Sequence, residues 1–279
     1  NFIRLMMNDG EIQGISDSTS YSFNPKISPS GKEIMDSGNG VLIKYNIETD
    51  IKDTIRLKVS YYLWHPDGNK IIYYSGDKFG LHIYDFDTKE SELLYFTYSY
   101  CRPIEFSPDS KTFLCDMEGL HYLISVDGSE VRKLVNPEVQ CSYYRFTGDG
   151  KNLLCLGRGP KGKDIILKYQ IAENKYVPIT SDFRLSEIPC FSPDGNRICF
   201  AARSENNAFS LVRLYILDLE SHEFKIIYKG CYLNLYWDNK TNYIYFISDR
   251  TICRIKPDGS GFQHLIAPSI DFIPYFELF

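Results

Sequence analysis

The chain is short of histidine, of basic stripes and of long apolar runs, and each shortage removes a class of function. Its 279 residues include five histidines. None forms a His-x-x-x-His pair, so a helical zinc-protease site is not on offer. No Cys-x-x-Cys pair suggests a zinc ribbon, and no Gly-x-Ser-x-Gly elbow presents a nucleophilic serine. No stretch approaches the roughly 18 apolar residues that span a bilayer. The 31 Lys and Arg are outnumbered by 36 Asp and Glu, giving a net charge of -5. The two signs are spread evenly, which leaves no patch to neutralise a phosphate backbone. Nucleic acid, a membrane span, a metal and a cofactor are therefore not expected, and no residue is assigned a catalytic role.

What the chain does have is aromatic residues and a repeated phrase. Aromatics make up 15% of the residues, with 22 Tyr and 18 Phe, a composition suited to strands packed face to face. The phrase is a hydrophobic anchor followed by Ser-Pro-Asp-Gly-Lys or a worn version of it. It reads Ile27-Ser28-Pro29-Ser30-Gly31-Lys32, Trp64-His65-Pro66-Asp67-Gly68-Asn69, Phe106-Ser107-Pro108-Asp109-Ser110-Lys111, Phe146-Thr147-Gly148-Asp149-Gly150-Lys151 and Phe191-Ser192-Pro193-Asp194-Gly195-Asn196. An eroded sixth copy is Trp237-Asp238-Asn239-Lys240-Thr241-Asn242. The anchors are 37, 42, 40, 45 and 46 residues apart, a period that marks a propeller or solenoid.

Within one copy the pattern resolves into four short strands. In the second they are residues 60–64, 70–75, 81–86 and 92–96, separated by Pro66-Asp67-Gly68, Gly76-Asp77 and Asp87-Thr88-Lys89-Glu90. Proline pre-sets φ in the first turn and Asp-Gly supplies the left-handed residue of a tight hairpin. Third strands recur at 41–46, 120–125, 164–170, 214–218 and 252–256. A four-stranded sheet this small cannot bury both faces alone and stacks on its neighbours as a propeller blade.

These repeats resemble the TolB-like β-propellers, in which a Ser-Pro-Asp-Gly-Lys hairpin follows an aromatic residue. The resemblance covers nearly the whole chain and implies an all-β propeller of four-stranded antiparallel blades, whose first strands line a channel and whose role is most often binding or scaffolding. Similar blades occur in oligogalacturonate lyases and beside serine peptidases. Ser30, Ser110, Gly148 and the turn at Asp238 depart from the phrase. One domain over 1–279 is expected, with seven blades: residues 270–276 would supply a first strand, and 2–7 and 11–15 a third and fourth, to a composite closing blade. Six blades with frayed ends is the alternative.

Candidate chemistry is sparse. Gly157-Arg158-Gly159-Pro160-Lys161-Gly162-Lys163 approaches a phosphate loop, but it links two strands rather than opening a helix and reads as a solvated hairpin. His82 and His121 occupy equivalent third-strand positions, which favours packing over metal binding. The cysteines also follow the repeat, Cys101 and Cys141 before an anchor and Cys115, Cys155 and Cys199 after one. They read as free, small core residues, favouring a reducing compartment for a soluble chain that is either exported with its signal removed or cytoplasmic. Charges on first strands must be paired or wetted, so Arg102, Glu105, Arg145 and Glu187, with Tyr61, Tyr143 and Asn234, are the candidate ligand-binding residues at the channel mouth. The expected activity is non-catalytic recognition of a protein or peptide, or a glycan, by a monomer. The alternative is a polysaccharide-active enzyme resembling the propeller lyases, or the propeller portion of a longer enzyme.

Overall fold

A computed structural model describes residues 3–5, 12–14, 25–38, 41–59, 61–136, 138–158, 164–180, 184–185, 189–203, 212–230, 233–238, 241–248 and 251–266. These residues hold six antiparallel blades. The first is β3 (Lys26–Ile27), β4 (Glu33–Gly38), β5 (Val41–Asn46) and β6 (Lys52–Ile55); the second is β7 (Tyr61–Trp64), β8 (Lys70–Ser75), β9 (Gly80–Asp85) and β10 (Ser91–Phe96). The third is β11 (Cys101–Phe106), β12 (Thr112–Met117), β13 (Leu120–Ser125) and β14 (Val131–Leu134); the fourth is β15 (Cys141–Phe146), β16 (Asn152–Arg158), β17 (Asp164–Gln170) and β18 (Lys175–Pro178). In the fifth the first strand is in two pieces, β19 (Arg184–Leu185) and β20 (Cys190–Phe191), both paired with β21 (Arg197–Arg203), followed by β22 (Arg213–Asp218) and β23 (Phe224–Lys229). The sixth is β24 (Leu233–Trp237), β25 (Ile244–Ser248), β26 (Thr251–Ile255) and β27 (Gln263–Ile266). Meandering four-stranded blades in series are the architecture of a β-propeller. Among the described residues no helix is long and apolar enough to cross a membrane.

The count of complete blades is six, the alternative to the seven expected. The N-terminal segments do pair antiparallel, β1 (Ile3–Leu5) with β2 (Ile12–Gly14), but they form a two-stranded sheet of their own. The proposed closing strand at 270–276 lies outside the described residues.

The repeated phrase closes the first hairpin of a blade through its hydroxyl. Ser192 is buried; its Oγ donates to Asp194 and accepts the Arg197 N–H at 2.9 Å, while Gly195 N–H donates to the Ser192 carbonyl at 2.9 Å. Thr147 repeats this with Asp149 (2.5 Å) and Asn152 N–H (3.1 Å). Ser28 accepts Glu33 N–H at 3.1 Å, and Ser107 donates to Asp109 at 2.7 Å. These hydrogen bonds hold the Asp194 carboxyl below its ordinary value; burial pushes Asp149 up, but its bonds to Thr147 and the Lys151 N–H outweigh this and leave it lowered. The worn copies keep the geometry at a cost. Ser110 takes a φ of 60° where glycine stands in better copies, and Asn242, one position later in its turn, takes 56°.

Contacts group the chain into two compact units, one containing blades one to three, the other blades four to six. In the first, Met35, Leu42, Tyr62, Trp64, Ile71 and Tyr73 fill the space between blades one and two. Ile72, Leu81, Phe113, Cys115 and Ile124 do so between two and three. In the second, Ile166, Ile198, Phe200 and Tyr215 join blades four and five, and Leu214, Trp237, Ile244 and Phe246 join five and six. Alternate residues of each middle strand thus serve opposite blade interfaces, and each fully buried aromatic stabilises its interface by about 2–3 kcal/mol.

Gly128 and Gly68 separate two consequences of turn geometry. Both have positive φ, 71° and 78°, but a methyl group on Gly128 collides with the Leu94 carbonyl oxygen of the adjoining blade, whereas one on Gly68 meets nothing. In urea unfolding, Gly68→Ala is expected to cost about 1 kcal/mol and Gly128→Ala about 2 kcal/mol or more; equal losses would contradict this packing.

Candidate functional site

In three blades the residues just before the anchor break the regular ladder. β11, β15 and β24 each carry a bulge that adds one residue, between Pro103 and Glu105, between Ser142 and Arg145, and between Leu233 and Tyr236. Bulges re-aim side chains and recur beside functional sites. Tyr143 sits in the second of them, 55% exposed and with a φ of 54°. A bulky residue held in left-handed backbone stores about 1–3 kcal/mol of strain. Arg145 follows it, exposed on the same strand.

The other predicted residues distribute as follows. In the first unit, Arg102 is exposed on β11, directly opposite Asp116, with which it forms an ion pair at 3.3 Å. Its charge is therefore both paired and wetted. Glu105 is half-buried on β11. Tyr61 opens β7, and its ring meets Tyr100 edge-on at 5.2 Å. Asn234 lies on β24, while Glu187 is outside the described residues. Tyr61 and Arg102 thus belong to one unit, and Tyr143 and Arg145 to the other.

Tyr100 belongs to a second aromatic feature, which lies outside the first strands. The connection from blade two to blade three runs Phe96-Thr97-Tyr98-Ser99-Tyr100, where a surface connection is ordinarily polar. Phe96, Tyr98 and Tyr100 are 52%, 75% and 45% exposed. Tyr98 packs between Phe96 (5.0 Å, 81°) and Phe79 (5.1 Å, 57°), and Tyr100 packs against Tyr61 and Tyr74. The Ser99 N–H donates to Thr97 Oγ1 at 3.0 Å, bracing the loop. Phe79, at the tip of the β8–β9 hairpin, is itself exposed and left-handed, with φ 46°. The signal was present in the sequence as aromatics alternating through a connector.

The remaining candidates are occupied with packing. His82 is buried and stacks on Tyr73 at 5.5 Å, and its Nε2 has no hydrogen-bond partner. His121 is buried as well. Among the described residues, no three or more His, Cys, Asp or Glu side chains converge to hold a metal. Of the phosphate-loop-like run, residues 159–163 lie outside the described residues, and its ends, Arg158 and Asp164, face one another across an antiparallel hairpin. A shallow cleft in the second unit is lined by Arg197, Thr241, Asn242 and Lys256, but both cations already stand over rings, Arg197 over Trp237 and Lys256 over Tyr243.

The cysteines need a correction. Cys101 and Cys115 are joined by a disulfide, with Cα atoms 6.5 Å apart, while Cys141, Cys155, Cys190, Cys199 and Cys253 carry no disulfide. Equivalent positions in neighbouring blades do not bridge. The bond instead joins two different positions on adjacent strands of one blade, which lie within bridging reach.

No protein-family model and no curated protein matches the chain. Solved structures do. An oligogalacturonate lyase in complex with manganese superposes with a TM-score of 0.66 at 16% identity, over 94% of this chain and 81% of the lyase. A putative TolB from Agrobacterium tumefaciens gives 0.54 at 16%, over 79% and 85%. Dipeptidyl peptidase 4 of Porphyromonas gingivalis gives 0.65 at 11%, over 90% of this chain and 48% of the peptidase. What they share with this chain is the propeller fold. At such identities the likeness extends to architecture alone, and a TolB, a lyase and a peptidase all stand among the neighbours.

Two outcomes are expected here. Burial lowers the pKa of both His82 and His121 from 6.5, helped at His82 by the Lys78 charge and at His121 by Arg102, against the pull of Asp116. Below about pH 6.5 the unfolded chain therefore binds protons that the folded chain refuses, and stability falls as pH drops from 7 towards 5. Urea midpoints across that range should decline less steeply in His82→Asn and His121→Asn, and an unchanged slope in both would refute it. Separately, Tyr143→Asn, which tolerates left-handed backbone, should stabilise the fold by up to about 1 kcal/mol; a loss of stability would show that the Tyr143 ring contributes more than its backbone costs.

Proposed function

We propose that the chain is a binding propeller that captures a protein or peptide through the aromatic surface of its second blade, centred on Tyr98 and continued through Tyr100 to Tyr61. The observation that carries this reading is the exposure of Phe79, Phe96, Tyr98 and Tyr100 on two braced segments. Exposed large aromatics cost solubility unless they meet a partner, and braced rings bind with little loss of conformational freedom. The angles between rings favour a peptide over a sugar. Phe79 and Phe96 lie at 57° and 81° to Tyr98, so they form a ridged surface that accepts apolar side chains, the usual geometry of an interface anchor, instead of one flat platform for a pyranose ring. Arg102, two residues beyond Tyr100, supplies a charge at the rim.

The enzymatic alternative gains less support. Uronide chemistry needs a base positioned within reach of substrate, and the two buried histidines, His82 and His121, lie on third strands, packed away from solvent.

The test is selection of ligands for the immobilised chain from a displayed peptide library, beside an oligosaccharide array and an assay for uronide cleavage. Peptides with bulky apolar residues should be recovered. Their affinity should fall by about 30-fold, or about 2 kcal/mol, in Tyr98→Ala and less in Arg102→Ala, with the urea midpoint of each variant unchanged. Retention on glycans alone, cleavage of uronides, or peptides indifferent to Tyr98 would each overturn the proposal.

A further inference from the structure

The fourth blade repeats the cysteine arrangement of the third without the bond. Cys141 and Cys155 stand forty residues beyond Cys101 and Cys115, respectively, so the two pairs enclose the same length of chain. The strand register agrees. Cys101 faces Met117, two residues past Cys115, and Cys141 faces Gly157, two residues past Cys155. Both pairs are therefore the same diagonal on a first and second strand, and the diagonal that closes in the third blade does so at a Cα separation of 6.5 Å, within the upper part of the range a disulfide spans. In the fourth blade both remain thiols, and Cys141 Sγ donates to the Val139 carbonyl at 3.5 Å.

The surroundings of the second pair suit exchange better than storage. Cys141 is half-buried and Cys155 fully buried, so a small oxidant meets Cys141 first. Hydrogen bonds from Cys155, Tyr144 and Asn136 favour the Cys141 thiolate against the cost of burial and hold its thiol below the ordinary value; the bond to Cys141 together with burial pushes Cys155 up. Tyr144 and Tyr176 share a hydroxyl hydrogen bond of 2.8 Å beside the sulfurs, where the third blade has Ile104 at the position of Tyr144. One thiol is thus prepared to attack and the other to resolve, the division of labour of an exchanging dithiol.

We propose that Cys141 and Cys155 form a second, reversible disulfide by exchange with small-molecule disulfides of the glutathione class. The Cys141 thiolate attacks one sulfur, the S–S bond of the small disulfide breaks, and one thiolate leaves and takes a proton from solvent. Cys155 then loses its proton to solvent and attacks the Cys141 sulfur of the mixed disulfide, expelling the second small thiolate. Two protein thiols are oxidised and one small disulfide is reduced to two thiols. The new bond would tie β15 to β16 across the bulge that carries Tyr143, so redox state would set how firmly that residue is held. This inference is independent of the aromatic surface of blade two.

The experiment is differential alkylation and peptide mass mapping of the whole chain after equilibration in glutathione buffers of increasing oxidised fraction. A linked peptide containing Cys141 and Cys155 should accumulate, reversibly, with a single midpoint, and the thermal midpoint should rise by several degrees with it. Cys155→Ser should stop at glutathione on Cys141, and Cys141→Ser should leave Cys155 unmodified. Full alkylation of both cysteines in folded, unaltered chain under fully oxidising buffer would overturn the proposal. So would a bond from either of them to another cysteine.

Discussion

The structure depends on a small buried clasp, a serine or threonine hydroxyl that donates to the aspartate two residues on and accepts the backbone N–H five residues on. It costs free energy to bury a hydroxyl without partners, so the residue at that position enforces its own turn. The turn in turn fixes the register of the first two strands of a blade, and a slip of one residue would send every interior side chain to the wrong face. Ser192, with Asp194 and Arg197, shows the complete clasp. At His65 the imidazole Nδ1 takes over the acceptor role from the hydroxyl, receiving Asp67 N–H at 3.3 Å, and the backbone bond from Gly68 to His65 survives at 2.9 Å. The sixth turn, lacking serine, uses Asp238 to accept from Thr241 N–H at 2.8 Å. The side-chain chemistry of the clasp has drifted, while the backbone bond to the carbonyl five residues on is kept at Ser192, His65 and Asp238 alike.

With registers fixed, the two faces of each blade divide the apolar residues between them. Ile71 and Tyr73 serve the interface with blade one, Ile72 and Tyr74 the interface with blade three. A second clasp holds the far end of the blade: Asn46, Asp85 and Asp218 each close the third strand and accept two backbone N–H groups from the turn that follows. The interior of a blade is consequently over-determined, and freedom is left to the strand ends and the connections between blades.

That division explains what could be read from the sequence. Strands 41–46, 70–75, 120–125 and 164–170 match the expected residues at both ends because alternation and turn chemistry point to the same boundaries. The second clasp was legible in principle, since Asp or Asn recurs at the end of the third strand. The disulfide was not, because it depends on a diagonal across two strands whose register the bulge at Pro103 shifts; repeat spacing alone gives cysteines in equivalent places and says nothing about partners within a blade. The aromatic loop at 97–100 escaped for another reason. A period-based reading looks for what recurs, and this connection does not recur.

The same contrast bears on where function resides. Ser110 takes left-handed backbone at the turn position where the repeat ordinarily has glycine, so its strain is incidental to a worn copy. Tyr143 is different, because it is large, exposed and left-handed within a bulged strand, whereas exposed Phe79 shares its left-handed backbone with Glu118, the equivalent residue before the hairpin glycine of blade three. Strain persists only where surrounding structure enforces it. At Tyr143 the enforcement comes from the bulge between Ser142 and Arg145. Phe79 displays its ring from a hairpin tip and Tyr143 from a bulged strand, so both exposed rings lie where the blade departs from its regular ladder.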